Sequence, residues 1–167
     1  QHGVQLYIGG YGDEILKGTT QVAMYTQGTK YALSTEKIQL LSKFMRQTYY
    51  QAIRGKYMLF DVLGRGISRK DITDKSATAL FAERMAVLDP EHIEEYKAII
   101  ARLKDEQAAD YKLKPLHTHY FRGDYTCTYA PAIRSTSVLY PPAPCVVNTA
   151  TEKTSKLISC RTDVPIS

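Results

Sequence analysis

The sequence predicts a mainly α-helical fold, followed by a short β segment and a tail without regular structure. Apolar residues recur at three- and four-residue spacing, together with helix-capping residues, as far as Leu103. From Pro115 the pattern becomes extended and aromatic. Beyond Thr126, five of the seven prolines fall within 41 residues, and no helical or alternating period persists there.

Two helices are predicted in the first third of the chain. The first covers residues 13–27 and ends at Gly28, and its expected buried positions are Ile15, Leu16, Val22 and Ala23. The second begins after Ser34 as the N-cap and stops at Gly55. Its core-facing stripe is Ile38, Leu41, Met45, Thr48 and Ala52.

Two more helices are predicted before the β segment. Thr73 or Asp74 caps a helix that runs through Leu80 and Met85. Asp89 and Pro90 start another helix, whose shared face is Ile93, Tyr96, Ile100 and Leu103.

The stretch HTHYFRGDYT, residues 117–126, is predicted to be a strand. His117 and His119 are two residues apart, so a strand places both on one side as possible metal ligands. No third ligand is evident in the sequence, and we expect neither a metal nor a cofactor. The three cysteines are widely spaced without a CxxC pattern, which also disfavours zinc.

The composition limits the range of partners. A chain that is 44% hydrophobic and 23% charged is typical of a globular domain, and no apolar run is long enough to span a membrane. The net charge of +5 favours an acidic partner. Because the charge forms no basic block, nucleic acid binding would rest on charge alone, and neither nucleic acid nor membrane is expected as a partner.

The motif GRGISR, residues 64–69, places Arg65 and Arg69 four residues apart beside small residues. An arginine fork suits carboxylates and sulfates, and glycine lets another molecule approach the backbone closely. An arginine at a turn is more often a solvated charge or a partner of a nearby acid, here Asp61 or Asp71. From these residues alone both interpretations stay open.

Several separated motifs together carry a family resemblance. They are QHG at the start, Tyr11 nine residues after His2, YALSTEK, YYQAIRGKYMLFDVLGRGISRKD and HYFRGDYT. In this order and spacing, residues 1–126 resemble the polysaccharide lyase family that includes chondroitin AC lyase, hyaluronate lyase and xanthan lyase, with chondroitin AC lyase nearest.

The resemblance implies a fold and a reaction. Residues 1–112 would form the C-terminal part of an incomplete α/α toroid, and residues 113–126 the start of a β-sandwich domain. The family cleaves glycans that contain uronic acid, such as chondroitin sulfate or hyaluronan, by β-elimination. The implied partner is therefore an acidic polysaccharide, and the implied location is secreted or periplasmic.

The resemblance also implies roles for four residues. Tyr11 matches the family's general acid and potentially its base, and His2 matches a histidine that assists or acts as base. Arg65 and Arg69 match arginines that hold the sugar and stabilise the tyrosine's ionised form. Taken alone, Tyr11 would more readily be read as a packing residue and His2 as a terminal histidine.

The chain is expected to be a fragment with only part of this site. The family also uses an asparagine and sugar-stacking aromatic residues from an earlier helix, which would lie before Gln1. Since a preorganised donor contributes a few kcal/mol to transition-state stabilisation, we expect the chain alone to have little activity. The alternative function is a non-catalytic helical fragment that binds acidic polysaccharide.

Residues 127–167 are interpreted as an out-of-frame, disordered tail. Read in another frame, residues 126–148 can encode a sequence close to the family's continuation, and a supporting glutamate codon would span Val147 and Asn148. On this frameshift hypothesis, the three cysteines and the proline cluster are not selected for structure.

Overall fold

The structure, a computed structural model, describes residues 6–121, 125–130 and 133–138. In this part of the chain four α-helices precede a small antiparallel sheet, which confirms the prediction of a mainly α fold. The helices are α1 (Asp13–Thr26), α2 (Thr35–Phe44), α3 (Ala79–Leu88) and α4 (Ile93–Leu103). None of these helices combines the length and apolar composition that a bilayer crossing needs.

Helix α1 follows a π-helical turn, Ile8–Gly12, without a break. Its buried positions are Leu16, Thr20 and Ala23. The prediction that Ile15 and Val22 are buried was wrong, since their side chains are 61% and 55% exposed. The Thr20 hydroxyl donates to the carbonyl of Leu16, which lets a polar side chain sit on the buried face.

Helix α2 begins after Ser34 as predicted, although the Ser34 side chain makes no capping hydrogen bond. The α-helix ends at Phe44, ten residues earlier than expected. The chain continues as a π-helical turn, Met45–Tyr49, and a 3₁₀ turn, Tyr50–Ala52. Two short strands follow, β1 (Ile53–Arg54) and β2 (Tyr57–Met58), joined through Gly55 at φ +60°.

Helix α3 follows a 3₁₀ turn, Ser76–Thr78, and the predicted cap Asp74 accepts a hydrogen bond from the Ser76 backbone N–H. Helix α4 follows a second 3₁₀ turn, Pro90–His92. Helix α3 packs against both α1 and α4, and Arg84 on α3 donates to the carbonyl of Lys17 on α1. Among the residues predicted to form the shared face of α4, Tyr96 and Leu103 are essentially inaccessible to solvent.

The sheet lies after the helices. It has the order β3 (Leu116–Tyr120), β4 (Tyr125–Ala130), β5 (Ile133–Val138), and both pairs are antiparallel. Strand structure was predicted for residues 117–126, but β4 and β5 extend to Val138, where no structure was expected. The interpretation of a structureless tail is therefore wrong for residues 127–130 and 133–138. The rest of the tail lies outside the described residues.

One hydrophobic core joins the helices to the sheet. It includes Tyr49 and Tyr50 from the turns after α2, Tyr96 from α4, and Tyr125 and Cys127 from β4. The predicted division between helical and β domains, after residue 112, falls between the end of α4 and the start of β3. It remains a prediction.

Candidate active site

Tyr11 lies in the π-helical turn that leads into α1, and its side chain is 41% exposed. The turn is glycine-rich because its backbone packs tightly against neighbouring segments. A Cβ on Gly9 would come within 2.5 Å of Met58 Sδ and 2.6 Å of Leu63 Cδ2. The turn is thereby seated on the segment that precedes the GRGISR motif.

Arg65 and Arg69 belong to a 3₁₀ turn, Gly64–Ser68, and to the residue that follows it. Both side chains are exposed. Arg65 Nη2 donates a hydrogen bond to Tyr11 Oη at 3.3 Å, although the two residues are 54 positions apart in the chain. The backbone N–H of Arg69 donates to the carbonyl of Gly66 at 2.8 Å, which fixes the end of the turn.

The alternative partners of these arginines are not used. Among the ion pairs of the described residues, neither Arg65 nor Arg69 contacts Asp61 or Asp71. Arg65 instead faces a phenol that is itself partly open to solvent. The structure thus brings together two of the four residues that the resemblance singled out, and it leaves Arg69 exposed on the same turn.

Tyr7 fills the space between the two turns. Its ring meets that of Tyr11 edge to face, with centroids 5.0 Å apart. A Cβ on Gly64 would lie 3.0 Å from the Tyr7 ring, and a Cβ on Gly10 would lie 2.5 Å from it. Gly64 also has φ +53°, a conformation that glycine adopts readily. The Tyr7 ring therefore sets the spacing between Tyr11 and Arg65.

An ion pair between buried Lys75 and partly buried Asp13 lies beneath the turn. Lys75 is 4% exposed, and its Nζ donates to the carboxylate of Asp13 at 2.6 Å and to the carbonyl of Gly9 at 2.8 Å. Tyr49, also fully buried, donates its hydroxyl to the other oxygen of Asp13. Both Asp13 oxygens thus have a donor, which offsets the partial burial of the carboxylate.

Burial has the largest effect on the pKa values of Asp13 and Tyr49. It raises the pKa of Asp13 above the usual range for a carboxyl, although the hydrogen bonds from Lys75 and Tyr49 oppose the increase. Burial, reinforced by the nearby Asp13 charge, also raises the pKa of Tyr49. Tyr49 therefore stays protonated, and a hydrogen-bond donor, at neutral pH.

Comparison with known proteins places this arrangement in a family. The sequence profile described as polysaccharide lyase family 8, N-terminal alpha-helical domain, matches residues 1–102, which is more than half of the chain. The chain belongs to polysaccharide lyase family 8. The prediction of the family from the separated motifs is thereby confirmed.

Relatives of this family 8 chain include a chondroitinase. The chain is 44% identical over 132 residues to chondroitinase-AC of Pedobacter heparinus, covering 79% of this chain and 19% of that protein. A solved structure of chondroitinase AC lyase, studied as enzyme–oligosaccharide complexes, superposes with a TM-score of 0.78 and 43% identity. That match covers 81% of this chain and 20% of the other. The family 8 chain thus spans about a fifth of the length of these relatives.

The other predicted site residues of the family 8 chain lie on a different element or outside the described residues. His2 lies outside the described residues. His117 and His119 are on β3, where their Nδ1 atoms hydrogen-bond to Thr128 and Thr126 of β4. In the described part of the chain, the potential metal ligands brought within 4.8 Å of one another are instead Asp89, Glu91 and His92. That group belongs to the packing of α2 against α4, because the buried Asp89 is also bonded to Ser42.

Sequence reasoning missed the supporting residues of the family 8 chain. The Gly-rich opening, GGYG, was noted, but nothing in it indicated that Tyr7 would lie between Gly10 and Gly64. Nothing in the sequence indicated that Lys75 would be buried, since its partner Asp13 is 62 positions away. A buried lysine can be recognised only once the fold brings a carboxylate to it.

Proposed function

We propose that this chain carries part of the active site of a lyase that cleaves glycans containing uronic acid, with chondroitin sulfate or hyaluronan as substrate. The observation that carries the proposal is the contact of Arg65 Nη2 with Tyr11 Oη on an open surface. Membership of family 8 and the similarity to chondroitinase-AC support it. A secreted or periplasmic location and an α/α toroid fold are proposed on the same basis.

The reaction explains why these residue types are needed. A base removes the proton from C5 of the uronate, and the electron pair left on C5 is delocalised into the carboxylate. The C4–C5 double bond forms as the bond from C4 to the glycosidic oxygen breaks, and an acid protonates the leaving oxygen. Negative charge builds on the uronate carboxylate before the bond breaks, so cations and hydrogen-bond donors beside it lower the barrier.

The proposed roles come from the family resemblance, and the Tyr11–Arg65 contact supports them. Tyr11 donates the proton to the leaving oxygen and in its ionised form can also accept the C5 proton. Arg65 donates a hydrogen bond to the Tyr11 hydroxyl, and with Arg69 it holds the sugar acid. His2 assists as a base. These assignments rest on the resemblance and on the Tyr11–Arg65 contact together.

An activity assay tests the proposal. The purified 167-residue chain is incubated with chondroitin sulfate or with hyaluronan, and the ultraviolet absorbance of the unsaturated uronate is followed. We expect slow product formation that Tyr11→Phe reduces by about a hundredfold or more, because one proton transfer commonly contributes that much. Arg65→Ala is expected to act in the same direction.

Two control variants separate chemistry from general damage. Tyr25→Phe removes the hydroxyl of another exposed tyrosine, and Lys43→Ala removes one exposed positive charge from α2. Both should leave the rate unchanged. Circular dichroism shows whether the chain is folded. If the folded chain forms no unsaturated product with either glycan, catalysis by this chain is contradicted.

The second candidate function is binding of acidic polysaccharide without cleavage. Arg65, Arg69 and Lys70 are all exposed on one turn and the residues just after it, which favours contact with a polyanion. Salt-sensitive retention on a chondroitin sulfate column without product would support this function. Retention should weaken in Arg65→Ala and persist in Lys43→Ala.

The origin of the tail is part of the proposal. We infer a frameshift near Thr126, and the coding DNA tests it directly. Codons in the tail that yield the family's continuation in another frame would support the frameshift. Codons that cannot do so in any frame would exclude it.

A further inference from the structure

We propose that Lys75 is a positioning residue that holds the π-helical turn carrying Tyr11 at the distance from Arg65 that the chemistry needs. The inference rests on the proposed function of Tyr11. Lys75 lies beneath this turn and does not reach the open surface, since its side chain is 4% exposed.

The contacts of Lys75 bracket Tyr11. Its Nζ donates to the carbonyl of Gly9 and to the carboxylate of Asp13, which stand two residues before and two residues after Tyr11. A single ammonium group therefore ties both ends of the five-residue segment whose centre is Tyr11. A charged donor makes stronger hydrogen bonds than a neutral one, so this tie restrains the turn firmly.

Lys75 is itself anchored at its backbone. Its N–H donates to the carbonyl of Lys56 at 2.8 Å. Its own carbonyl accepts from the backbone N–H and from the hydroxyl of Thr78, at 2.8 and 2.6 Å. The side chain thus reaches the Tyr11 turn from a segment that cannot shift independently.

The opposite side of the turn is restrained by packing as well as by the Arg65–Tyr11 hydrogen bond. Gly9 meets Met58 and Leu63, and the Tyr7 ring meets Gly10. These contacts limit how close the turn can approach the Arg65 segment, whereas the Lys75 bonds prevent it from moving away. Because a displacement of about 1 Å in a reacting group can cost about a hundredfold in rate, the tie is expected to matter for catalysis.

The test compares Lys75→Met with a matched surface variant. Methionine keeps most of the length of the side chain and removes the ammonium group. Lys104→Met removes an exposed lysine that is paired with Glu83, so it makes the same chemical change away from the site. Both variants are measured as the full 167-residue chain, with circular dichroism and thermal unfolding to identify conditions in which they are folded.

The main readout is the NMR signal of ring-labelled Tyr11, assigned by its loss in Tyr11→Phe. In Lys75→Met we expect the Tyr11 signals to shift toward those of the exposed Tyr25 and the Tyr7–Tyr11 cross-peaks to weaken. The signals of Tyr96, which is fully buried on α4, should not move, whereas a general loosening of the fold would shift them. Lys104→Met should leave all of these signals unchanged.

A kinetic readout accompanies the spectrum if the chain forms product. We expect Lys75→Met to lower kcat by about a hundredfold with little change in KM, because a buried residue does not touch the glycan. If the unmodified chain forms no product, catalysis by this chain is excluded. The NMR comparison still decides whether Lys75 positions Tyr11.

A second variant covers the case in which Lys75→Met does not fold. The double variant Lys75→Met with Asp13→Asn removes both charges of the buried pair and so avoids an unpaired carboxylate. The same shift of Tyr11 signals is expected there. The proposal would be overturned if either variant is folded and its Tyr11 signals and Tyr7–Tyr11 cross-peaks are the same as in the unmodified chain.

Discussion

At the scale of single residues, the distance between Tyr11 and Arg65 depends on the backbone conformation and the packing of Gly64. Gly64 combines φ +53° with the Tyr7 ring 3.0 Å from the position of a Cβ. Gly28, at the end of α1, has φ +76° but nothing within 4 Å of that position. The two glycines therefore share a backbone conformation and differ in packing.

We predict that Gly64→Ala destabilises the protein more than Gly28→Ala does. Both substitutions place a side chain in the left-handed region, at a cost of about 1–2 kcal/mol. Gly64→Ala also pushes Tyr7 away, which adds about 1 kcal/mol or more. Urea denaturation measures both free energies of unfolding, and equal losses would mean that Tyr7 is not held between the two turns.

At the scale of secondary-structure elements, one serine joins α2 to the start of α4. Ser42 on α2 is 1% exposed and donates to Asp89, and it accepts hydrogen bonds from Arg46 Nε and Tyr96 Oη. Tyr96 is itself inaccessible, and burial raises the pKa of its phenol to about 12. The elements are thus connected by a polar network rather than by apolar contacts alone.

We predict that Ser42→Ala lowers the free energy of unfolding by about 1–3 kcal/mol, because it removes one hydrogen-bond partner from each of the buried residues Asp89 and Tyr96. Ser34→Ala is the matched control, since it removes the same hydroxyl from an exposed residue that makes no capping bond. The control should change stability by less than about 0.5 kcal/mol. A loss in Ser42→Ala no greater than in Ser34→Ala would show that the network contributes nothing to stability.

At the scale of the whole molecule, α1 presents apolar side chains to solvent. Ile15 and Val22 are seven residues apart and so lie on one face of the helix, and Tyr25 is 75% exposed one turn further on. Exposed apolar faces of this kind favour association. The sequence had predicted the opposite orientation for Ile15 and Val22.

We predict that the chain self-associates in a concentration-dependent way and that replacing both Ile15 and Val22 with serine weakens the association. Light scattering coupled to size-exclusion chromatography measures the mass of the species at several concentrations. Leu80 and Val87 on α3 form the comparison pair, because they are also seven residues apart and half exposed. An equal effect of both double variants would argue against a specific role of the α1 face.

The sequence by itself determined the family, the mainly α class and the start of each helix. Capping residues and apolar periodicity are local, and separated motifs in a fixed order are recognisable without coordinates. Ser34, Asp74 and Pro90 mark helix starts close to where the structure has them. The separated motifs also singled out four site residues, which are His2, Tyr11, Arg65 and Arg69. Of these, Tyr11 and Arg65 are in contact.

Only the tertiary structure decided how that pair is held. Tyr7, Asp13 and Lys75 gave no sequence signal, because a buried charge or a ring between two glycines is defined by partners distant in the chain. The early end of α2 and the strands beyond Thr126 were likewise decided by tertiary contacts. Periodicity reports which residues share a face, whereas the available neighbours determine whether that face is covered, as the exposed Ile15 and Val22 illustrate.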